Sequence, residues 1–296
     1  MTGPSGKSSV SVTSAPERVV VKDPPPKPDY PRHRVEPGEP ARLAEREPGE
    51  TEHYTSKKDV AQELAAARKR IGDLQARLYA EHERSLLIVL QAMDTGGKDG
   101  TIKGVFQGVN PQGCQVWSFK APSSEEHDHD FLWRYHQRVP SAGMIGIFNR
   151  SHYEEVLVVR VKSLVAEQVW RDRYETINAF ERALTASGVA LVKFFLHISK
   201  DEQRRRLQSR LDDSEKHWKF SANDVAERAY WDDYQRAFED ALTKCSTPYA
   251  PWYVVPANTK WYRNLVVART IADTLEAMDP RYPPAEPGLD QVTIPA

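Results

Sequence analysis

The densest run of chemistry-bearing residues is Asp94-Thr95-Gly96-Gly97-Lys98-Asp99-Gly100-Thr101. Its three glycines let successive backbone N–H groups turn toward one point, and a lysine follows two of them directly. Backbone donors, an ammonium and the start of a helix would together cradle an anion, phosphate above all. The match to the pattern G-x-x-x-x-G-K-[ST] is incomplete. Ala92 occupies the first glycine position and Asp99 stands where a hydroxyl is expected, although Thr101, two residues on, could supply one. An ordinary tight turn can carry the same residues, so the flanking elements have to decide.

Lys98 would reach bridging phosphate oxygens as a point charge. Asp94 beside bound phosphates would repel them unless a cation intervenes. That implies Mg2+, with Mn2+ as the alternative, because such an ion accepts one or two carboxylates together with phosphate oxygens. A second polar run is Asn149-Arg150-Ser151-His152-Tyr153-Glu154-Glu155. A carboxylate would be expected at 149 to organise the metal. Asn149 can accept only from a metal-bound water, which leaves Asp94, with Glu154 or Glu155, to hold the ion. Arg150 can pair with phosphate bidentately, or with Glu154 four residues on.

The third run begins with Arg204, Arg205, Arg206 and Arg210 and continues into the irregular stretch holding Lys216, His217, Trp218 and Lys219. Seven basic residues accompany five acids over 200–219, so a solvated charged face competes with a lid that brings cations down on a phosphoryl group. Arg204 and Arg210 are the favoured pair for the lid. Trp218 and Trp231 could stack on a base, but aromatic side chains are more often core. No Cys/His spacing suits zinc, and His82, His127, His129, His136 and His152 read as structural or surface residues.

A buried parallel strand must deliver the glycine loop, and residues 85–91 are almost wholly apolar. Further strands are expected at 114–119, 144–148, 189–198 and 253–256. A helix capped by Ser56 carries Val60, Leu64, Ile71, Leu74 and Leu78 at helical spacing. Other helices are expected from Thr101 to about 108, from Glu125 to about 139, at 153–164 and 167–185, after Ser199, from about 223 to 244, and at 261–278. Five strands alternating with helices predict an α/β fold, a five-stranded parallel sheet covered on both faces. Ligands in such sheets bind beyond the carboxyl ends of the strands, which here carry 94–100, Lys120, Asn149-Arg150, Ser199 and Ala257-Asn258.

Charge and composition narrow the class. Forty-one basic and 42 acidic side chains give a net charge of -1, so nothing draws the whole chain to nucleic acid or to an anionic membrane, and any anion site must be local. Two cysteines cannot build a disulfide framework, no apolar run reaches the ~18 residues of a membrane span, and the N-terminus lacks a secretory core. A cytoplasmic protein is expected. Ten of the 21 prolines fall before residue 51, which predicts a flexible N-terminal arm over 1–54, parts of which, such as 30–35, could dock. The catalytic domain is expected at 55–278, with the lid near 204–222, and a proline-rich tail at 279–296.

The chain resembles the type-2 polyphosphate kinase family over about 55–278, through LIVLQAMDTGGKDGTIKGVFQGVNPQG, FKAPS, HDFLWR, GIFNRSHYEEVLVVRV, DDSEKHWKFS and PYAPWYVVPANTKWYRN. That resemblance implies a three-layer P-loop kinase fold with a helical lid. It implies Mg2+-dependent transfer of the terminal phosphoryl of inorganic polyphosphate to AMP or ADP, with GMP and GDP as further candidate acceptors, by a homo-oligomer. Asp94, Lys98, Arg150, Arg204 and Arg210 are then catalytic. Gly96, Gly97, Gly100, Thr101, Lys120, Asn149, Arg160, Lys216 and Lys219 contact phosphate or nucleotide, and the asparagine at 149 resembles a subgroup that accepts nucleoside mono- and diphosphates. The departures are Gly96, where alanine is common, and the long arm. Two other readings share these features: an ATP-dependent kinase of a small metabolite, and a phosphate- or nucleotide-binding module without chemistry.

Overall fold

The structure, a computed structural model, describes residues 33–295, with the side chains of Lys219 and Asp290 left out. Five parallel strands lie in the order β2-β3-β1-β4-β5: β1 (Ser85–Ala92), β2 (Cys114–Ser118), β3 (Ile145–Asn149), β4 (Val189–His197) and β5 (Trp252–Pro256). Every residue of β1 is buried, as expected for a central strand with helices on both faces. The chain runs outward from β1 to β2, returns through β3, and then crosses to β4. The strand order therefore reverses beside β1, and the crevice beyond its carboxyl end is where the glycine loop emerges.

The helices are α1 (Lys57–Glu81), α2 (Lys98–Val105), α3 (Ser124–His127), α4 (Trp133–His136), α5 (Val158–Val161), α6 (Glu167–Ala186), α7 (Lys200–Leu211), α8 (Ala222–Glu227), α9 (Trp231–Cys245) and α10 (Lys260–Met278). One layer is built by α10, which packs on α1, α2, β4 and β5. The other is built by α6 and α9. The capping box at Ser56 and Asp59 starts α1 as its sequence requires. Among the described residues no helix is long and apolar enough to cross a membrane.

Several boundaries differ from the sequence expectation. Helix α2 starts at Lys98 rather than Thr101, because Gly97 caps it at φ 99°, a left-handed conformation that glycine adopts freely. The single helix expected from 125 to about 139 is two short ones, since the Asp130 carboxylate accepts from the Leu132 N–H and turns the chain between them. The helix expected at 153–164 is a 3-10 turn, His152–Val156, followed by the one-turn α5. The helix expected over 223–244 is α8 and α9 joined by a 3-10 turn, Arg228–Tyr230, where Arg228 reaches back to the Lys200 carbonyl and Gln203. Residues 214–219, read as aperiodic, form a 3-10 turn.

The arm needs a larger correction. Residues 1–32, which include part of the segment expected to dock, lie outside the described residues. From residue 33 onward the chain is docked: Arg34 bridges Tyr253 antiparallel at the free edge of β5, and Val35, Ala41, Leu43 and Tyr54 are buried in the core. Proline-rich composition does not forbid docking where a sheet edge offers backbone partners, here the Val35 N–H to Trp252 O at 2.9 Å and the Val254 N–H to His33 O at 2.8 Å. Toward the end of the chain, residues 281–289 and 291–295 are exposed.

Candidate active site

A cavity of about 660 Å³ opens at the carboxyl ends of β1, β2 and β3, and residues 94–100 form one wall. Ser118, Lys120, Asn149 and Arg150 form a second wall, and Arg210, Trp218 and Asp224 hang over it from α7, the 214–219 turn and α8. A larger hollow, about 930 Å³, lies between the docked 45–53 segment and β5. Glu45, Glu47, Glu50 and Glu52 outnumber Arg46 in the lining of that hollow, whereas the smaller cavity, lined by Lys98, Lys120, Arg150 and Arg210, is the one suited to an anion.

The loop holds its shape by turning carbonyls away from the cavity. Arg206, on α7, donates from Nη1 to the carbonyls of Thr95 and Gly96, both at 3.0 Å, and from Nη2 to those of Ala257 and Asn258 at 2.5 and 3.2 Å. Gln203 adds a bond to Asp94 O at 3.1 Å. With the carbonyls so engaged behind the loop, the start of α2 faces the cavity, while the Gly96 N–H is spent on Met93 O at 2.9 Å. Lys98 lies half-buried in that turn, with Nζ donating to Ala92 O at 3.3 Å. Burial, and then the charge of Arg150, push its ammonium down to about 8, against the opposing pull of Asp94, Glu154 and Asp99.

Asn149 ends β3 and donates from Nδ2 to Asp99 Oδ1 at 2.7 Å, which fixes Asp99 across the rim. Arg150 has φ 64°, an uncommon conformation for a residue with a side chain. That turn aims its guanidinium into the cavity, with Nη2 2.8 Å from Asp94 Oδ1 and Nη1 3.8 Å from Glu154 Oε2. Burial works against its charge, but Glu154 and Asp94 more than offset that and raise it. Glu154 is steadied from below by Gln91. With the Gln91 amide oriented so that donors meet acceptors, its nitrogen donates to Glu154 Oε1 at 3.1 Å and its oxygen accepts from Ser151 Oγ and N at 3.2 Å. Across the cavity, Arg210 of α7 pairs with Asp224 of α8 at 3.4 Å. Burial, then the charge of Asp94, raises the Asp224 carboxyl.

The structure gathers Asp94, Gly96, Gly97, Lys98, Gly100, Lys120, Asn149, Arg150 and Arg210 around one cavity. Glu154 reaches it through Arg150. Other expected members lie elsewhere. Thr101 is buried and donates to the Gly97 carbonyl at 3.1 Å, so its hydroxyl braces the helix. Glu155 pairs with Arg173 at 2.9 Å, away from the cavity. Arg160 pairs with Asp240 at 2.6 Å and lies over the Trp170 ring at 4.5 Å. Arg204 is exposed on the outer side of α7, and the exposed Lys216 pairs with Asp213 at 2.5 Å. The Lys219 side chain lies outside the description.

Arg206, Asp224 and Gln203 escaped the sequence reading. A signal for Arg206 was present: residues four apart share a helix face, so Arg206 and Arg210 belong together, whereas Arg204 and Arg210, six apart, do not. Asp224 carried no such signal, because α8 was expected to be part of a longer helix. Among the described residues no three His, Cys, Asp or Glu side chains are grouped to hold a metal by themselves. Asp94 with Glu154 would supply the one or two carboxylates that a hydrated Mg2+ accepts together with phosphate oxygens.

The polyphosphate kinase 2 family model matches residues 54–283. An AMP/ADP-polyphosphate phosphotransferase of Meiothermus ruber is 52% identical over 264 residues, which cover 89% of this chain and 99% of that protein. An ADP-polyphosphate phosphotransferase of Rhodopseudomonas palustris is 48% identical over 246 residues, 79% of this chain and 85% of that protein. The crystal structure of polyphosphate kinase 2 from Arthrobacter aurescens TC1 superimposes with a TM-score of 0.83 at 46% identity, covering 89% of this chain and 94% of that one. The glycine loop at the reversal of a parallel sheet is thus part of a kinase architecture, and the chain belongs to the polyphosphate kinase 2 family of phosphotransferases.

Proposed function

We propose that the chain transfers the terminal phosphoryl group of inorganic polyphosphate to AMP and ADP, and to the guanine nucleotides GMP and GDP as further acceptors. The supporting observation is the convergence of Lys98, Arg150, Arg210 and Lys120 on one half-enclosed cavity at a helix N-terminus. A nucleotide phosphate oxygen attacks the terminal phosphorus in line. The bond from that phosphorus to its bridging oxygen breaks, and the shortened polymer leaves with the electron pair. No covalent intermediate with the protein is needed, because the acceptor oxygen is already anionic. Positioning and charge neutralisation by the chain's own cations then supply most of the rate.

Lys98 and the loop N–H groups hold the transferring phosphoryl, Arg150 orients the acceptor phosphate, and Arg210 arrives with the lid. On binding, phosphate oxygens would displace Asp94 from Arg150 and Asp224 from Arg210. Asp94, with Glu154, would hold Mg2+ or Mn2+, which when bound supplies neutralisation of the phosphate charge. Assembly of several copies belongs to the same proposal and is read by light scattering. The test is incubation with polyphosphate and Mg2+ plus AMP, ADP, GMP or GDP separately, with products resolved by chromatography. Nucleoside di- and triphosphates are expected with polyphosphate as the sole donor. Turnover only with ATP would sink the reading.

Two predictions arise from the geometry. Arg210→Ala binds nucleotide nearly normally but turns over at least ~10²-fold more slowly, because its cation is delivered late; loss of nucleotide binding by calorimetry would contradict the lid role. Lys98 titrates near 8 without ligand, and a phosphate anion raises it, so tripolyphosphate binding at pH 8.5 takes up protons and weakens as pH rises through that range. Calorimetry in two buffers of different ionisation enthalpy measures the uptake, and Lys98→Met should abolish it.

A further inference from the structure

Helix α7 turns one face to the glycine loop, and Gln203, Arg206 and Arg210 share that face by their helical spacing. Arg206 takes the carbonyls of Thr95 and Gly96 and Gln203 takes that of Asp94, so two side chains of one helix hold three successive carbonyls. Thr95 sits among them at φ 60°, a left-handed conformation that a β-branched residue keeps only where its surroundings impose it. The Asp94 carbonyl belongs to the peptide just before Thr95. Fixing its direction therefore fixes that φ.

Gln203 is itself held. It is only 1% exposed, its Nε2 donates to Asp94 O at 3.1 Å, and its Oε1 accepts from Arg228 Nη1 at 2.8 Å. Turning the carboxamide over would set its nitrogen against a guanidinium and its oxygen against a carbonyl, so Arg228 decides which end of the amide meets the loop. Arg228 stands in the 3-10 turn that follows α8, and the same Nη1 donates to Lys200 O, at the start of α7, at 3.0 Å. Arg210, Trp218 and Asp224, which lie between Gln203 and Arg228 in the chain, all line the cavity. The two ends of the lid are thus clasped to each other at Gln203, and the clasp continues into the backbone of the loop.

We propose that Gln203 is a positioning residue for phosphoryl transfer: seated by Arg228, it fixes the backbone at Asp94 and Thr95 and so couples the base of the lid to the glycine loop. The proposal rests on the cavity being the site of that transfer. Asp94 pairs with Arg150 at 2.8 Å, and Thr95 leads into Gly96 and Gly97, which open α2. A turn of the Asp94–Thr95 peptide would therefore disturb both walls of the cavity at once. Gln203 touches no reacting atom. Its loss misplaces bound substrate without releasing it, and the effect falls on kcat more than on KM.

The experiment uses the full chain and the variants Gln203→Met, Arg228→Met and the two combined. Gln203→Met should lower kcat about tenfold and leave the KM for ADP within about twofold. Arg228→Met, at a half-buried position, should lower kcat about threefold or more. The combined variant should be no slower than Gln203→Met to within about twofold, because Arg228 acts through Gln203. Losses that multiply in the combined variant would overturn the coupling, as would variants that melt lower while kcat stays at the parent value. Amide hydrogen exchange without substrate supplies a second arm. The Gly96 N–H, which donates to Met93 O at 2.9 Å, should exchange about threefold or more faster in Arg228→Met. Unchanged exchange there would overturn the coupling even if the buried Gln203→Met fails to fold. Exchange needs no turnover, so a parent protein that transfers nothing from polyphosphate, while Arg228→Met loosens Gly96, would refute the proposed activity and leave the clasp standing.

Discussion

Lys98→Ala is expected to lower turnover by about 10³, equivalent to ~4 kcal/mol of transition-state stabilisation, in a protein that melts at the parent temperature. The size of the effect follows from position. Lys98 opens α2, so its ammonium and the helix N-terminus act on the same phosphoryl group, and the surrounding burial that lowers its charge when empty strengthens each contact once phosphate is bound. The loss should fall mainly on kcat, because Arg150, Arg210 and Lys120 remain to bind nucleotide and polymer. Steady-state kinetics with polyphosphate and ADP checks it. Near-parental phosphorylation of ADP by the variant would remove the glycine loop from the mechanism.

The second large effect is on stability, and it comes from charges far from any ligand. Lys193, in the middle of β4, is fully buried and spends all three ammonium protons: on Glu181 Oε2 at 2.5 Å, on Tyr153 OH at 2.7 Å and on Cys245 O at 2.7 Å. Glu181, on α6 and equally buried, accepts in addition from Tyr153 OH at 2.8 Å and from His152 Nε2 at 3.0 Å. Burial would raise the Glu181 carboxyl, but Lys193 and then His152 more than offset it and hold it low. Lys193→Met leaves that carboxylate without its cation in the core. The expected cost is about 3–5 kcal/mol, a fall in melting temperature on the order of 10 °C for a domain of this size.

Lys193→Met combined with Glu181→Gln should recover much of the loss, since the amide still accepts from His152 and Tyr153 and no unpaired charge remains. Thermal unfolding of the two variants decides it; a single variant melting within about 2 °C of the parent would show the pair to be energetically idle. The network has a functional side as well. His152 and Tyr153 begin the turn directly after Arg150 and Ser151, so the same charges that lock α6 to β4 set the backbone that aims Arg150.

This cluster also explains where the sequence reading stopped. His152 looked like one of several scattered histidines, and 153–164 looked helical. The turn is 3-10 because two buried polar side chains must reach Glu181, 28 and 29 residues away along the chain, and that demand outweighs local propensity. Arg160 was misplaced for a related reason. Its type suits phosphate, but its position on α5 faces Asp240 of α9, a partner that spacing along the chain cannot reveal. Arg204 was preferred to Arg206 because the run of three arginines drew attention to composition, whereas the helical face decides which of them meets the loop.

Local physics made other features readable. An almost wholly apolar run ending in a glycine-rich turn reads as a buried strand delivering a loop, because β1 lies between two layers of helices and tolerates no polar alternation. The loop at 94–100, the Asn149-Arg150 corner and the kinase family were therefore available from the sequence by itself. Which cations face the cavity, which are neutralised elsewhere, and which brace the loop from behind were settled only by the packing of α7, α8 and α10 around it. Electrostatic roles depend on distance and burial, and both are set by contacts between residues more than a hundred positions apart, such as Arg206 with Thr95 and Gly97 with Arg263.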